Sequence, residues 1–449
     1  MPKIAALVLA AGKGTRMHSN RPKVVQPLLG EPMITLVLHA LAPVFGKDIW
    51  VLVGHGADQV EALCPQCHCV LQAEQLGTAH ALATALPDLQ AHGISHVLLI
   101  NGDTPLITET AVRQFIDDAK GSDLAFATLT LKDPASYGRV VRRDGALVGI
   151  VEAKDYDLAT YGAPTGEINA GMYYIDLALA EKLLPRVGKA NKSGEYYVTD
   201  LVSLALEDGL EVRGLDCGSD ESLMGINSPL ELARMEEVLR RRIVQNLLEK
   251  GVMLHAPELV RVSPRATVEA GASLTGPCEI YGASRICAGA TVQSHCVLYD
   301  TAVASGAEIR SFTHAEKANV GTGALVGPYA RLRPGADLCE NSHVGNFVEL
   351  KKTTLGKGAK ANHLSYLGDS QIGEGTNIGA GTITCNYDGK HKYQTKIGEH
   401  AFIGSNTALV APVTVGDGAL IGAGSVITKD VPEGQLGIAR GHQKNLPRR

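Results

Sequence analysis

Three cations beside a loop of small residues are the first chemistry this sequence offers. Leu9-Ala10-Ala11-Gly12-Lys13-Gly14-Thr15-Arg16-Met17 is followed closely by Pro22-Lys23. Small side chains let a backbone approach phosphate oxygens, and its N–H groups can cradle them. Lys13, Arg16 and Lys23 suit a polyphosphate whose charge must be offset while a bond forms at its α-phosphorus. The loop is not G-x-G-x-x-G, because position 17 is Met, and not a Walker loop, because Thr follows Gly14. A second group is Asn101-Gly102-Asp103-Thr104-Pro105-Leu106, whose carboxylate suits Mg²⁺ at the phosphates. Asn227, within Gly225-Ile226-Asn227-Ser228-Pro229, offers an amide oxygen to the same ion. A third is His363, beside Tyr366. Imidazole titrates near neutrality and can take a proton from an amine that attacks a thioester. Arg333 and Lys351 would grip a sugar phosphate there.

The first two groups need strands that end where they begin. Ile4–Leu9, Ile49–Val53, Val97–Ile100 and Leu124–Leu129 are apolar runs of strand length, with helical segments such as Pro32–Ala42 and Thr78–Leu86 between them. This alternation predicts an α/β, Rossmann-like, doubly wound sheet with its ligand at the carboxyl ends of the strands. Ser228, Pro229 and Glu231 then read as an N-cap, a first-turn proline and a capping-box glutamate. Leu232, Met235, Leu239, Ile243 and Leu247 continue as one amphipathic helix that stops at Gly251, with Arg240-Arg241-Arg242 on its solvated face. The expected domains are therefore 1–227, a linker helix over 228–250, and 251–449.

The last domain carries a six-residue repeat. Aliphatic residues recur at Val262, Val268, Leu274, Ile280, Ile286, Val292 and Leu298. The phase slips, then resumes at Val320, Val326, Leu332, Leu338, Val344 and Leu350, and again at Ile397, Ile403, Leu409, Val415, Ile421 and Ile427. A period of six fits neither one helix nor one strand and is the mark of a parallel β-helix. From Ile378 to Ile397 the spacing is 19, one more than three repeats. The polar segment 385–395, with Lys390 and Lys392, accounts for the excess. Loops that leave a solenoid usually form its binding face.

Composition agrees with two differently built halves. Of 50 glycines, 22 lie in residues 1–250 and 28 in residues 251–449, while aromatics make up only 4% of the 449 residues. A net charge of −5 gives no electrostatic footprint for nucleic acid. No apolar stretch reaches the length of a membrane span, so a soluble, cytoplasmic protein is expected. Nine cysteines, an odd number in a long chain, point to reduced thiols. Cys64-Pro-Gln-Cys67-His68-Cys69 reads as a strand with a cysteine-rich approach, since no second pair lies near to complete four zinc ligands.

With these residues in view, the first half resembles the sugar-1-phosphate nucleotidylyltransferases. The likeness is carried by LAAGKGTRM…RPK, QLGTAHA at 75–81, NGDTPL, YGR at 137–139, VEAKD at 151–155 and EINAGMY at 167–173. It implies that Leu9, Ala10, Ala11, Gly12, Asn101 and Gly102 line the UTP site. Arg16 and Lys23 polarise phosphates, and Gln72, Gly77 and Thr78 frame the uracil. Gly138, Glu152 and Asn169 hold the sugar, and Asp103 and Asn227 bind Mg²⁺. Asn101 departs from the Tyr often found there. The second half resembles the hexapeptide acyltransferases, through HLSYLGD, NIGAGTITCNYDGKHK, IGSNTALVAPV and IGAGSVIT. That likeness implies a left-handed β-helix with His363 as general base. Arg333, Lys351, Tyr366 and Asn377 would bind glucosamine-1-phosphate. Asn386, Tyr387, Ser405, Ala423 and Arg440 would contact acceptor or acetyl-CoA, and Ala380 would line the acetyl pocket. The combination resembles the bacterial bifunctional enzymes that acetylate glucosamine-1-phosphate and then join N-acetylglucosamine-1-phosphate to UTP. It implies a homotrimer with small-molecule substrates only, bound to neither nucleic acid nor membrane.

Overall fold

Nine strands build the sheet of the first half. Ile4–Leu9 (β1), Ile49–Val53 (β2), His68–Leu71 (β3), His96–Asn101 (β4) and Leu124–Thr130 (β5) come first. Arg139–Arg143 (β6) and Ala146–Val151 (β7) form a hairpin, followed by Glu167–Asp176 (β8) and Val212–Asp216 (β9). Every residue of β2 is buried, as a strand covered on both faces requires. The order across the sheet is β9-β5-β8-β4-β1-β2-β3, with β6 pairing β8 at one residue. The chain steps outward from β1 to β2 and β3, then returns to β4 on the other side of β1. That reversal opens a crevice beyond the carboxyl ends of β1 and β4, where Leu9 and Asn101 are directly paired. Two strands depart from the expected parallel sheet: β8 runs antiparallel to both β4 and β5, and β7 runs antiparallel to β6 in the hairpin. An apolar run records burial and carries no information about strand direction. The helices Met33–Phe45 and Thr78–Ala91 extend beyond their expected ends.

The computed structural model describes residues 2–134, 136–219 and 221–448, in two units whose boundary in sequence falls between Glu236 and Glu237. No helix among the described residues is long and apolar enough to cross a membrane. The boundary lies within the helix Pro229–Glu249.

In the second unit the chain winds as a parallel β-helix. Val262 pairs with Ile280 and Ile280 with Leu298, so one coil takes eighteen residues, or three sides of six. All the periodic aliphatics are buried, Val268 being the most exposed at 8%. The apparent slip after Leu298 does not interrupt the solenoid. Leu298 pairs with Ala315 and Ala315 with Leu332, in coils one residue shorter, and Val303 and Ile309 fill the interior between them. The insertion is larger than the count from Ile378 to Ile397 implies. Ile372 pairs with Ile397 and Ile378 with Ile403, so this coil exceeds eighteen by seven residues and not by one. The count misleads because Thr384, buried and paired with Leu409, takes an inward position where an aliphatic is expected.

The arginine run also departs from expectation. Arg241 and Arg242 are exposed, but Arg240 is only 6% exposed. It shares the buried stripe of Val244 and Leu247, at the spacings of one helix face. Its guanidinium donates to both carboxylate oxygens of Glu237 and to the Pro257 carbonyl. The Arg240 hydrogen bonds, opposed by desolvation and aided by Arg241, pull the Glu237 carboxyl from 4.5 down to about 2. A depressed carboxyl stabilises the fold above its unfolded pKa and loses that contribution as pH falls through the folded value. In denaturant unfolding followed by circular dichroism, the deficit of Glu237→Gln relative to the parent should be constant from neutrality down to about pH 5 and close towards pH 2. Arg240→Ala should cost about 2 kcal/mol and Arg241→Ala less than about 0.5 kcal/mol.

Two candidate active sites

At the crevice of the first unit lie two adjoining clefts, of about 520 and 450 Å³, that share Lys23, Asn101 and Asp103. The loop Leu9–Gly12 lines the first, with Gln72, Gly77 and Thr78 across from it. Gly14 sits at φ +61°, and a Cβ there would stand 2.5 Å from Cβ of Lys23, so only glycine lets the loop close over this lysine. Gln72 is tied through its Nε2 to the Gly77 carbonyl at 3.3 Å and to Nδ1 of His80 at 2.8 Å. The second cleft brings together Arg16, Gly138, Glu152, Asn169 and Asn227. Gly102 lines neither. Its N–H donates to the Leu9 carbonyl at 2.9 Å, joining the two strand ends behind the clefts.

Lys23 is the hinge of the arrangement. Its ammonium lies against Oδ2 of Asp103 and 3.0 Å from Oδ1 of Asn227, which also accepts from Arg16 at 2.9 Å. The second oxygen of Asp103, Oδ1, is buried without a hydrogen-bond partner. A buried carboxylate oxygen left unpaired is costly. Together with an amide oxygen it makes a hard-donor set that fits Mg²⁺. The turn before the helix at Pro229 aims Asn227: the Asn227 N–H donates to Oε2 of Glu231 at 2.6 Å, and the Glu231 N–H donates to Oγ of Ser228 at 3.2 Å. The reciprocal bond of the expected capping box thus falls on Asn227 and not on Ser228.

The sugar-side residues depend on an irregularity in β8. Pairing with β5 shifts register between Asn169 and Tyr173. Gly171, at φ +76°, makes the bulge possible and donates its N–H to Oδ1 of Asn169 at 3.0 Å. Glu152 is largely buried, and desolvation raises its carboxyl pKa against the bond it accepts from Thr199 at 3.3 Å. Among the lining residues, sequence reasoning gave no role to Glu195, Thr199, Tyr137 and Tyr173, the last two lying inside the YGR and EINAGMY motifs. For Glu195 and Thr199 the available signal was the polar, aromatic run Ser193-Gly-Glu-Tyr-Tyr-Val-Thr199 between two helices. Its Val198 N–H donates to Oγ1 of Thr78 at 2.8 Å, which secures the nucleotide-side turn.

In the second unit the corners of successive coils form a track. Asn346 pairs with His363, and the Gly381 N–H, next to Ala380, reaches the His363 carbonyl at 3.3 Å. Next up the stack, Asn406 bonds to the Ala380 carbonyl at 2.7 Å, and Gly424 to that of Ser405 at 2.8 Å. Arg440 donates to the Ala423 carbonyl. His363, Ala380, Ser405, Ala423 and Arg440 therefore follow one another along the solenoid, a small-residue path from an imidazole to a cation. Nδ1 of His363 is 3.0 Å from Oδ1 of Asn346. An amide oxygen only accepts, so Nδ1 carries the proton and Nε2 keeps its lone pair.

The expected acceptor residues occupy neighbouring sides of the same coils. Arg333 bonds to Leu350 through its N–H and to Glu349 through its guanidinium at 2.8 Å, beside Lys351. Lys392, from the inserted loop, meets Lys351, and the hydrogen bond and repulsion between them lower its ammonium pKa. Arg333 is paired with Glu349, while Lys351 and Lys392 meet as like charges, a juxtaposition that suits a bound phosphate. Lys392 was visible in the sequence as part of the loop but not as part of this cluster. Gly368 leaves room for the Tyr366 hydroxyl and for Asn386, whose amide donates to Asp369. Tyr387 folds within the loop, its hydroxyl bonded to the Gly389 carbonyl at 2.6 Å. Asn377 does not join Tyr366: it stands beside Lys360, in the sheet that holds Asn346 and His363.

Fold and sites together define a nucleotidyltransferase joined to a hexapeptide-repeat acyltransferase. Residues 6–149 match the MobA-like NTP transferase domain, and residues 394–429 match the bacterial transferase hexapeptide repeats, whose coils form a left-handed β-helix. A relative named bifunctional protein GlmU from Nitratidesulfovibrio vulgaris (strain Miyazaki F) is 59% identical over 99% of this chain and 98% of its own. Relatives of the same name are 56% identical in Oleidesulfovibrio alaskensis, over 98% and 97% of the two chains, and 42% identical in Acinetobacter baumannii, over 97% and 96%. A solved structure described as a putative glucose-1-phosphate thymidylyltransferase from Bacillus anthracis has a TM-score of 0.42 at 18% identity, covering 52% of this chain and 94% of its own.

The chain belongs to the bifunctional GlmU family. It is an enzyme of two reactions, acetyl transfer from acetyl-CoA to glucosamine-1-phosphate and uridylyl transfer from UTP to N-acetylglucosamine-1-phosphate. The Asn346–His363 bond makes a separate prediction for the first reaction. Asn346→Ala should lower the acetyl-transfer kcat about 10- to 100-fold with little change in the KM for glucosamine-1-phosphate, and His363→Ala should lower it further, in a thiol-release assay.

Proposed function

We propose specific roles for these residues and an order of reaction. Acetyl transfer comes first. The amine of glucosamine-1-phosphate attacks the thioester carbonyl, Nε2 of His363 takes the amine proton, and the thiolate of coenzyme A leaves. Arg333, Lys351 and Lys392 hold the phosphate, with Tyr366 positioning the sugar. Backbone N–H groups and the Asn386 amide steady the oxyanion. The pantetheine arm lies along Ala380, Ser405 and Ala423, with Arg440 at the coenzyme's anionic end and Tyr387 in the loop beside it. The observation that carries this reading is the unbroken stack from His363 to Arg440.

Uridylyl transfer follows in the first unit. A phosphate oxygen of N-acetylglucosamine-1-phosphate attacks the α-phosphorus of UTP in line, and pyrophosphate leaves. Gln72, Gly77 and Thr78 frame the base, while Gly138, Glu152 and Asn169 bind the sugar. Arg16 and Lys23 offset the phosphate charge. Asp103 and Asn227 would hold Mg²⁺, which when bound would supply charge neutralisation at the phosphates. The unpaired Oδ1 of Asp103 supports this assignment. The chain works in the cytoplasm, where UTP and acetyl-CoA are made and where nine free thiols stay reduced.

The working assembly is a homotrimer. His295, Phe312, Tyr329 and Phe347 stack along the outside of one solenoid corner at centroid distances of 4.7, 4.8 and 5.3 Å. Leu364, exposed and next to His363, continues this ladder. An exposed aromatic strip running up to the catalytic histidine supports an interface that completes the acetyl site. In light scattering the chain should have the mass of three copies. Phe347→Asp should lower that mass and the acetyl-transfer rate while leaving uridylyl transfer within about twofold, since a surface substitution remote from a site seldom changes it.

The two reactions separate in one assay. The parent supplied with UTP, Mg²⁺, acetyl-CoA and glucosamine-1-phosphate should yield UDP-N-acetylglucosamine by chromatography. His363→Ala should yield it only when N-acetylglucosamine-1-phosphate is added. Asp103→Ala should fail with or without that addition, by at least about 100-fold. Product from Asp103→Ala, or failure of His363→Ala given the intermediate, would overturn the assignment.

A further inference from the structure

Neither reaction uses Cys64-Pro65-Gln66-Cys67-His68-Cys69, the run that leads into β3. Among the described residues no group of three or more potential ligands could hold a metal ion, so this run is not built as a zinc knuckle. Its backbone makes a tight turn instead. The Cys67 N–H donates to the Cys64 carbonyl at 3.0 Å, with Pro65 at the position turns favour for proline. Such a turn holds its first and fourth Cα atoms within about 7 Å, inside the range that disulfides span.

Access differs between the three sulfurs. Cys64 is 3% exposed and packs in the core with Val60. Cys67 is half-buried against the same cluster, and Cys69 is exposed on β3. Cys67 ends the turn, and Cys69 lies one residue inside the strand that begins at His68. Elsewhere Cys278 and Cys296 face each other inside the solenoid, but burial pushes their thiols up to about 12 and about 11 and closes them to solvent. Among the described residues, the Cys64–Cys67 turn therefore combines proximity with access.

We propose that Cys64 and Cys67 form a reversible dithiol–disulfide site that exchanges with low-molecular-weight disulfides. The Cys67 thiolate attacks one sulfur of the small disulfide, forming a mixed disulfide and expelling one thiolate. The Cys64 sulfur then attacks the Cys67 sulfur and expels the second. The two protons lost by the cysteines end on the two expelled thiols. The protein pair is oxidised by two electrons, and the small disulfide is reduced by two. The direction follows from access, since Cys64 is buried and Cys67 half-buried. The thiol pKa values agree: interaction with Cys64 lowers that of Cys67, against desolvation, while interaction with Cys67 and burial raise that of Cys64. Cys67 is thus the attacking sulfur and Cys64 the resolving one. The bridge would close a ring of only four residues, so it adds little as a staple and acts as a redox couple.

The test uses the full chain and oxidised glutathione, with alkylation, proteolysis and mass spectrometry. The parent should gain one Cys64–Cys67 bridge and lose two of its nine free thiols, both restored by dithiothreitol. Cys64→Ser and Cys64→Ala should each keep glutathione on Cys67 as a stable mixed disulfide. Cys69→Ser should form the bridge at the parent's rate within about twofold, as expected of a thiol outside the exchange. Circular dichroism on each variant separates loss of fold from loss of exchange, and the two Cys64 variants allow for one failing to fold. Glutathione collecting on Cys69 with no bridge in the parent, or absence of the Cys67 adduct in both folded Cys64 variants, would falsify the site.

Discussion

Three distant stretches of chain meet at one ammonium group. Lys23 lies in the loop after β1, Asp103 just beyond β4, and Asn227 in the turn that starts the long helix. Their partners are 80 and 204 residues apart in sequence. The group is largely buried, with side-chain exposures of 17% for Lys23 and 11% for Asp103. A buried carboxylate must be paired or bind a cation, and here it is paired on one oxygen only. The first unit is arranged to keep that centre in place. Pairing of Leu9 with Asn101 sets the strand ends side by side, the Gly14 turn folds the loop over Lys23, and Glu231 holds Asn227 in reach. A cation held by protein oxygens while the cleft is empty is a cation ready for phosphate when the cleft fills.

The second unit obeys a different constraint. Each coil must stack on the last, so an inward aliphatic at every sixth residue is enough to define it. This regularity tolerates short coils, as Ala315 shows, and a seven-residue excursion, as the loop around Tyr387 shows. The same stacking that builds the core also aligns the outside. Residues at one corner of successive coils stand in a row, which is how a histidine, three small residues and an arginine separated by long stretches of sequence become one path. A long, thin coenzyme arm needs such a straight track, and a solenoid supplies it without further design.

Legibility follows from these constraints. The solenoid core could be read from sequence because one apolar residue per side is set by burial alone. The strands of the first half were legible for the same reason, as were the loop residues 9–17 and Asp103, since they sit where strands end. What escaped involves partners brought in by tertiary structure. The antiparallel β8 and its Gly171 bulge depend on neighbours that no apolar pattern names. Glu195 and Thr199 reach the sugar-side cleft from beyond a different helix. Asn346 orients His363 from the coil before it, and Lys392 joins Lys351 only once the loop folds back.

Polarity set in apolar rows marks the same boundary between what a sequence shows and what it hides. Thr384 occupies a position that the six-residue period reserves for an aliphatic, and Arg240 is buried where the arginine run was expected to face solvent. Burying a hydroxyl or a guanidinium is costly unless its hydrogen bonds are met inside. Both are met: Thr384 bonds with the backbone of Gly368, and Arg240 with Glu237 and Pro257. Thr384 directly precedes the inserted loop, and Arg240 lies on the helix that enters the solenoid. A hydrogen-bonded polar residue fixes orientation at these two junctions, where an apolar one would fix only depth. The exceptions to the repeat therefore stand where the chain must leave or enter it, and the polar bonds that satisfy them hold the departing segments in place.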